Sequence, residues 1–304
     1  MSRFTTPLGE VFIVADGMGG HRGGATAAMM TIEGFERYLR EPRAPAPAPS
    51  VLQDAARLTN AEIHRLAHSG DPAIAGMGST LALALVSGRS LIIGHAGDSR
   101  AYLFRQGRLK RLTRDHSRVQ KMIDHRILTE EEAREHPEAN VINRAFGQKP
   151  EIEIEISEPV ELWPGDGVLL CSDGLCGYVD DAAIEQTIRR HSQAQSVTDA
   201  LIDLALGAGG EDNVTVQFLQ FGGRHDKRAE TPARSSPKEE RDHLRGRDQR
   251  ERRSRLWPAL FLLGAFLLGM LTMYAIGWRL GWTAPAPAKP SDTRSGKPSG
   301  GKNQ

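Results

Sequence analysis

Three aspartates lie at the ends of short apolar runs, each beside a glycine, a serine or an asparagine. They are Asp16, Asp173 and Asp212, and the runs next to them cover 13–15, 169–171 and 214–216. Runs of this length and composition predict buried β-strands. A single Asp-Gly pair usually marks a turn. Three carboxylates at strand ends favour a different interpretation, a shared site at one edge of a sheet.

Carboxylates gathered in a partly buried cleft lose their hydration and repel one another, so cations must neutralise them. Oxygen ligands suit hard divalent ions, and Mg²⁺ or Mn²⁺ is therefore the natural occupant. The residue after Asp16 is Gly17, which permits a sharp turn or a close approach of its carbonyl to an ion. The sequence thus predicts a site for divalent metal ions.

Apolar periodicity predicts the elements that position these aspartates. Besides the run before Asp16, strands are expected at 80–86, 90–96, 101–105, 151–156, 167–171 and 214–220, with a hairpin at Gln106-Gly107. Helices are expected at 24–39, 51–68, 129–136, 181–190 and 196–206. Successive strands and paired helices predict a layered α+β domain rather than alternating βαβ units.

The charge of the chain is unevenly distributed. Residues 1–221 carry 22 Lys and Arg against 30 Asp and Glu, whereas residues 222–304 carry 17 against 8. The two regions therefore face different surroundings. The arginines of the basic region have no interleaved aromatic residues, and we expect no nucleic-acid partner. Cys171 and Cys176 match neither a disulfide framework nor a four-ligand zinc site, which indicates a reducing compartment.

Residues 256–278 form an uncharged apolar run of 23 residues. As a helix this run would be about 34 Å long, enough to cross the hydrocarbon core of a membrane. Seven arginines between 241 and 255 precede it, against Arg279 and Lys289 after it, and this asymmetry predicts a cytoplasmic N-terminal region. The sequence therefore predicts a single-pass protein of the inner or plasma membrane.

These predictions divide the chain into four parts. Residues 1–221 form the globular domain, 222–255 a charged disordered linker, 256–278 a transmembrane helix and 279–304 a disordered tail. The first ten residues lack a basic segment followed by an apolar run, so no signal peptide is expected.

Six short motifs connect the globular part to a known family. They are Val14-Ala-Asp-Gly-Met-Gly-Gly-His21, Gly76-Met-Gly-Ser-Thr80, Gly97-Asp-Ser-Arg100, Leu112-Thr-Arg-Asp-His-Ser117, Cys171-Ser-Asp-Gly-Leu175 and Gly210-Glu-Asp-Asn-Val-Thr215. In this order, across residues 9–221, they resemble the metal-dependent serine/threonine protein phosphatases of type 2C, in their bacterial branch. The resemblance implies a central antiparallel β-sandwich flanked by helical pairs, with a two-metal centre at one end.

The resemblance also implies roles for particular residues. Asp16 would bridge two Mn²⁺ or Mg²⁺ ions, the Gly17 carbonyl would be a second contact, and Asp173 and Asp212 would be further ligands. Asp115, together with Asp173, would hold a third ion. Two ions sharing a water molecule activate it for attack on a phosphoester, so no protein nucleophile is expected. The implied substrates are phosphoserine and phosphothreonine in proteins, and the implied partner is a serine/threonine kinase.

Two segments bear on substrate binding. Residues 117–147 resemble the family's mobile flap over the substrate groove. The family also has an N-terminal strand with a phosphate-binding arginine and an acidic motif, but here only residues 1–4 precede the turn at 6–9, and Arg3 does not match that arginine. Either translation starts further upstream, or the chain lacks an edge strand and a charge clamp. The alternative function is therefore a catalytically weak module that binds phosphoproteins.

Overall fold

The computed structural model describes residues 1–41, 46–210 and 212–222. The strands in this part of the chain are β1 (Ser2–Thr6), β2 (Gly9–Val14), β3 (Gly17–Met18), β4 (Gly78–Ser79), β5 (Leu81–Ser87), β6 (Ser90–Ala96), β7 (Arg100–Arg105), β8 (Arg108–Arg111), β9 (Glu155–Ile156), β10 (Val160–Glu161), β11 (Gly167–Cys171) and β12 (Val216–Gln220). The helices are α1 (Gly20–Arg40), α2 (Ala48–Ala67), α3 (Arg118–Asp124), α4 (Glu130–Arg134), α5 (Asp173–Cys176), α6 (Asp181–Arg190) and α7 (Ala194–Gly207).

Two antiparallel sheets form the centre of the fold. The first has the order β1-β2-β5-β6-β10, with β9 also paired to β6, and the second has the order β12-β11-β7-β8. Along β2, Phe12 and Val14 pack between the two sheets, whereas Val11 and Ile13 pack against α1 and α2. Because side chains alternate along a strand, burial of both faces requires the uninterrupted apolar run that precedes Asp16.

The second sheet is covered in the same way on its outer face. Leu169 and Cys171 of β11 pack with α6 and α7, and Val168 and Leu170 pack between the sheets. The layers are therefore a helical pair, a sheet, a sheet and a second helical pair. This arrangement confirms the predicted α+β sandwich with flanking helices.

The predicted hairpin joins β7 to β8. Gln106 and Gly107 both have positive φ angles, 52° and 76°, and Arg105 pairs with Arg108 across the turn. Two successive positive φ values are the signature of a type I′ turn, whose twist suits a two-residue hairpin. The structure therefore confirms the hairpin predicted at Gln106-Gly107.

The predicted strand at 151–156 is largely absent, because only Glu155 and Ile156 pair with β6. Ile152 and Ile154 are buried, but their backbone groups bond to a side chain of α2. Gln53 donates from Nε2 to the Ile152 carbonyl at 3.0 Å, and its Oε1 accepts from the Ile154 N–H at 3.1 Å. A glutamine amide thus provides the bonds that a neighbouring strand would have provided.

An edge strand does form at the N-terminus. Residues 2–6 pair with β2 over their whole length and form one edge of the first sheet. Arg3 forms an exposed ion pair with Glu10 at 2.7 Å, and its guanidinium lies over the ring of Phe12. Arg3 is therefore engaged on the surface of this strand.

The predicted transmembrane helix at 256–278, the tail and all but the first residue of the predicted linker lie outside the described residues. In the part of the chain that is described, every helix is too short or too polar to cross a membrane.

Candidate metal centre

The three predicted aspartates come together at one end of the sandwich. Asp16, Asp173 and Asp212 each offer a carboxylate oxygen, and these oxygens lie within 4.8 Å of one another. Asp16 follows β2 of the first sheet, Asp173 follows β11 of the second, and Asp212 precedes β12. We call these residues the carboxylate cluster. Residues far apart in the sequence therefore converge because both sheets direct strand ends to the same edge.

Asp16 is held by a reciprocal pair of hydrogen bonds with Thr80. The Asp16 N–H donates to Thr80 Oγ1 at 2.9 Å, and the Thr80 N–H donates to the Asp16 carbonyl at 2.8 Å. The same Oγ1 lies 2.6 Å from Ser99 Oγ. Thr80 and Ser99 are both buried, so the backbone before the carboxylate is fixed from inside the sandwich.

Ser172 links the segments that carry Asp173 and Asp212. Its Oγ donates to the Asn213 carbonyl at 3.1 Å and accepts from the Thr215 N–H at 3.0 Å. Gly174 permits this close approach, since a Cβ there would lie 2.4 Å from the Asn213 carbonyl oxygen. Hydrogen bonds of Ser172 therefore hold the Ser-Asp-Gly segment that contains Asp173 against the Asp-Asn-Val-Thr segment that contains Asp212.

Gly17 has a packing requirement of its own. It pairs with Ser79 between β3 and β4, and a Cβ at this position would lie 1.9 Å from the carbonyl oxygen of Gly24 in α1. Only glycine allows the start of α1 to pack so closely against the strand that leaves Asp16.

The carboxylate cluster is electrostatically unfavourable without a cation. Burial, a hydrogen bond with Asp173 and the nearby charges of Asp173, Asp212 and Asp98 raise the pKa of Asp16 to about 8. Burial and the charges of Asp173 and Asp115 raise the pKa of Asp98 to about 7. The buried Oδ1 of Asp173 has no hydrogen-bond partner. An all-oxygen donor set with this excess of negative charge fits hard divalent ions.

Asp115 lies outside this cluster and already has cationic partners. Its Oδ2 accepts from Arg100 Nη2 at 2.7 Å, both of its oxygens lie 3.1 Å from Arg100 Nε, and Arg111 donates to Oδ1. The three side chains are nearly buried. We call Arg100, Arg111 and Asp115 the arginine clamp. These bonds occupy the Asp115 carboxylate in the present structure, so binding of a third ion there would require at least one arginine to move, and the role predicted for Asp115 stays a prediction.

His116 is a residue of this region that the sequence analysis did not single out. Its ring Nδ1 accepts from the Gly97 N–H at 3.1 Å, and its ring Nε2 lies 3.2 Å from a carboxylate oxygen of Glu155. The backbone N–H of His116 donates to the Gly97 carbonyl at 2.7 Å. The ring also stacks on His95, with centroids 4.7 Å apart. His116 therefore joins the turn that carries Asp98 to the segment that carries Asp115. The only sequence signal was its place in a quoted motif.

Comparisons with known proteins agree with this geometry. A family model described as protein phosphatase 2C matches residues 3–205. The serine/threonine phosphatase stp of Listeria innocua is 34% identical over 213 residues, which cover 69% of this chain and 84% of that protein. The solved serine/threonine phosphatase of S. agalactiae is 33% identical and covers 72% of this chain and 90% of its own, with a TM-score of 0.67.

A second solved structure bears on the metal. It is the catalytic domain of the phosphatase PstP in complex with two manganese ions, 34% identical, with a TM-score of 0.62 and coverage of 71% of this chain and 89% of that chain. The sandwich, the carboxylate cluster and these likenesses define a metal-dependent serine/threonine protein phosphatase. The chain belongs to the protein phosphatase 2C family, in its bacterial branch. This assignment favours an enzyme over the phosphoprotein-binding module.

Proposed function

We propose that this chain hydrolyses phosphoserine and phosphothreonine in proteins at the cytoplasmic face of a membrane, with Asp16, Asp173 and Asp212 holding two Mn²⁺ or Mg²⁺ ions. The observation that carries the proposal is the convergence of the three carboxylate oxygens within 4.8 Å. When bound, such ions activate water and neutralise charge on the transferred phosphoryl group. The Gly17 carbonyl, next to Asp16, is a further candidate contact.

Other residues of the protein position the carboxylates of the cluster. Thr80 and Ser172 fix the backbone at the carboxylate cluster, so the oxygens are arranged before any ion binds. Such preorganisation reduces the cost of assembling the site in the transition state. A buried Cys176, bonded through its thiol to the Ser172 carbonyl at 3.5 Å, has no exposure that a nucleophile needs. Burial therefore makes this cysteine a poor candidate for a covalent intermediate, as expected if a water molecule attacks the phosphoester.

The experiment is hydrolysis of a phosphothreonine peptide by the full chain with Mn²⁺ and with a chelator. Asp173→Asn keeps the shape of the side chain but removes its charge, so we expect turnover to fall at least about 100-fold, beyond the loss typical of residues that only support a ligand. Asp203→Asn, the same change on an exposed face of α7, is the matched control and should keep full activity. Equal activity in both variants would refute the assignment of Asp173.

The membrane location is a separate part of the proposal and is supported by the sequence of residues 256–278. A serine/threonine kinase acting on the same substrates is the expected partner. Deletion of 256–278 should move the protein from the membrane fraction to the soluble fraction while Mn²⁺-dependent turnover continues. A protein that is soluble with this segment present would contradict the anchor and leave the assignment of the metal centre intact.

A further inference from the structure

A cavity of about 350 Å³ lies between the metal centre and the flap. One wall includes Asp173 and Asp212 of the carboxylate cluster. Another part of the lining comes from residues 117–147 and includes Gln120, Arg134 and Asn140. A phosphoryl group that reaches the carboxylate cluster from this side must therefore pass the side chains of the flap.

The phosphate of a substrate is a dianion, and a guanidinium binds it with two charge-assisted hydrogen bonds. Arg3 cannot provide this contact in the cavity, because it pairs with Glu10 on the strand surface and is not among the lining residues. Among the described residues, three arginines line the cavity: Arg100, Arg111 and Arg134.

Two of these arginines already form ion pairs with acidic residues of the chain. Arg100 bonds to Asp115 and also contacts Asp181 at 3.8 Å. Arg111 bonds to the other oxygen of Asp115. Both side chains are only 18% exposed, so moving either one to a substrate would leave a nearly buried carboxylate short of a partner.

Arg134 differs in each of these respects. It is exposed at the end of α4, and its guanidinium forms neither a hydrogen bond nor an ion pair with the described part of the chain. Glu130, one turn earlier on α4, also lines the cavity but forms no ion pair with Arg134. The helix itself is anchored: Thr129 and Glu132 form a capping box at its start, and Ala133 is buried. A free guanidinium is therefore carried on a fixed backbone.

We infer that Arg134 binds the phosphoryl group of the substrate and supplies the cationic contact that Arg3 does not. The inference deepens the proposed function and rests on it, because the phosphate must lie in the cavity beside the carboxylate cluster. It assigns the flap a direct part in binding the charged group common to all substrates.

The test measures binding of inorganic phosphate to the Mn²⁺-loaded full chain by calorimetry, and KM for two substrates, a phosphothreonine peptide and p-nitrophenyl phosphate. Arg134→Gln should weaken phosphate binding about tenfold or more, as expected for loss of a bidentate arginine contact. KM should rise by a similar factor for both substrates. Arg134→Lys should retain part of the affinity, since a lysine keeps the charge without the bidentate geometry.

Arg3→Gln is the matched control, because it removes an arginine of the same domain that lies outside the cavity. It should leave phosphate affinity and KM unchanged. Unchanged phosphate binding in Arg134→Gln would overturn the inference, and so would a rise of KM confined to the peptide, which would indicate recognition of the flanking residues. Absence of turnover in the wild type would refute the proposed function instead, and phosphate calorimetry would still decide the role of Arg134.

Discussion

Two groups of charged residues contribute side chains to the same cavity and differ in how their charges are balanced. The carboxylate cluster brings Asp16 together with two further carboxylates, so all three of its members are acidic. The arginine clamp surrounds Asp115 with two guanidinium groups. The repulsion in the first arrangement is relieved by protonation of Asp16 or by bound ions, whereas the second arrangement is balanced by arginines of the chain itself. The same residue type, aspartate, is therefore a proposed metal ligand in one place and the partner of two arginines in the other.

The largest expected effect is on stability: Asp→Asn substitutions at positions 115 and 16 should change the free energy of unfolding in opposite directions. In metal-free protein at pH 7, Asp115→Asn leaves two buried guanidinium groups without their anion and should cost about 3–5 kcal/mol of stability. Asp16→Asn removes a carboxyl group whose pKa rises from 3.8 to about 8 on folding. Because that rise penalises the folded state as pH increases through this range, the substitution should stabilise the metal-free protein by about 2–4 kcal/mol.

Chemical unfolding in the presence of a chelator measures both variants against the wild type. A loss of stability in both would show that the carboxylate cluster is not strained without metal, and the contrast between the two groups would disappear.

A second effect concerns pH and metal affinity. With a pKa of about 8, Asp16 carries a proton in the metal-free protein over most of the neutral range, and Mn²⁺ must displace it. Apparent Mn²⁺ affinity should therefore rise as pH increases from 6 to 8, by up to about tenfold per unit, and level off above that. Calorimetric titration in buffers of different ionisation enthalpy would also count the protons released. An affinity that is constant over this range would contradict the raised pKa.

The smallest effect should come from the support beneath Asp16. Thr80→Val keeps the shape but leaves the Asp16 N–H without its acceptor at a buried position, at a cost of about 1–2 kcal/mol. We also expect weaker Mn²⁺ binding, by about tenfold, as for other residues that orient a metal ligand. Thr80→Ser retains the hydroxyl and should recover most of both properties. If Val and Ser behave alike, the hydroxyl does not position the carboxylate.

Much of the fold could be predicted because its signals are local. The apolar run before Asp16, the Gln106-Gly107 turn and the amphipathic helices each depend on neighbouring residues, and the structure confirms them. The segment 151–156 could not be predicted in the same way. Its alternating isoleucines are buried as in a strand, but the partner of its backbone is the side chain of Gln53, about a hundred residues earlier.

In the site, too, the features set by local sequence could be predicted and those set by distant side chains could not. Three aspartates at strand ends were enough to predict the carboxylate cluster, because strand ends of one sandwich edge converge. The partners of Asp115 depend on which side chains meet it in space, and neither Arg100 nor Arg111 could be recognised as a partner from spacing alone. His116 was missed for the same reason, since its role depends on a bond to the backbone of Gly97.

The most direct test of the central claim is diffraction from crystals of the chain grown with Mn²⁺, recorded at the manganese absorption edge. Our account predicts anomalous peaks in contact with Asp16, Asp173 and Asp212, and no peak at Asp115 while Arg100 and Arg111 remain bonded to it. Manganese bound away from the three aspartates, or at Asp115 with the arginine clamp opened, would contradict it.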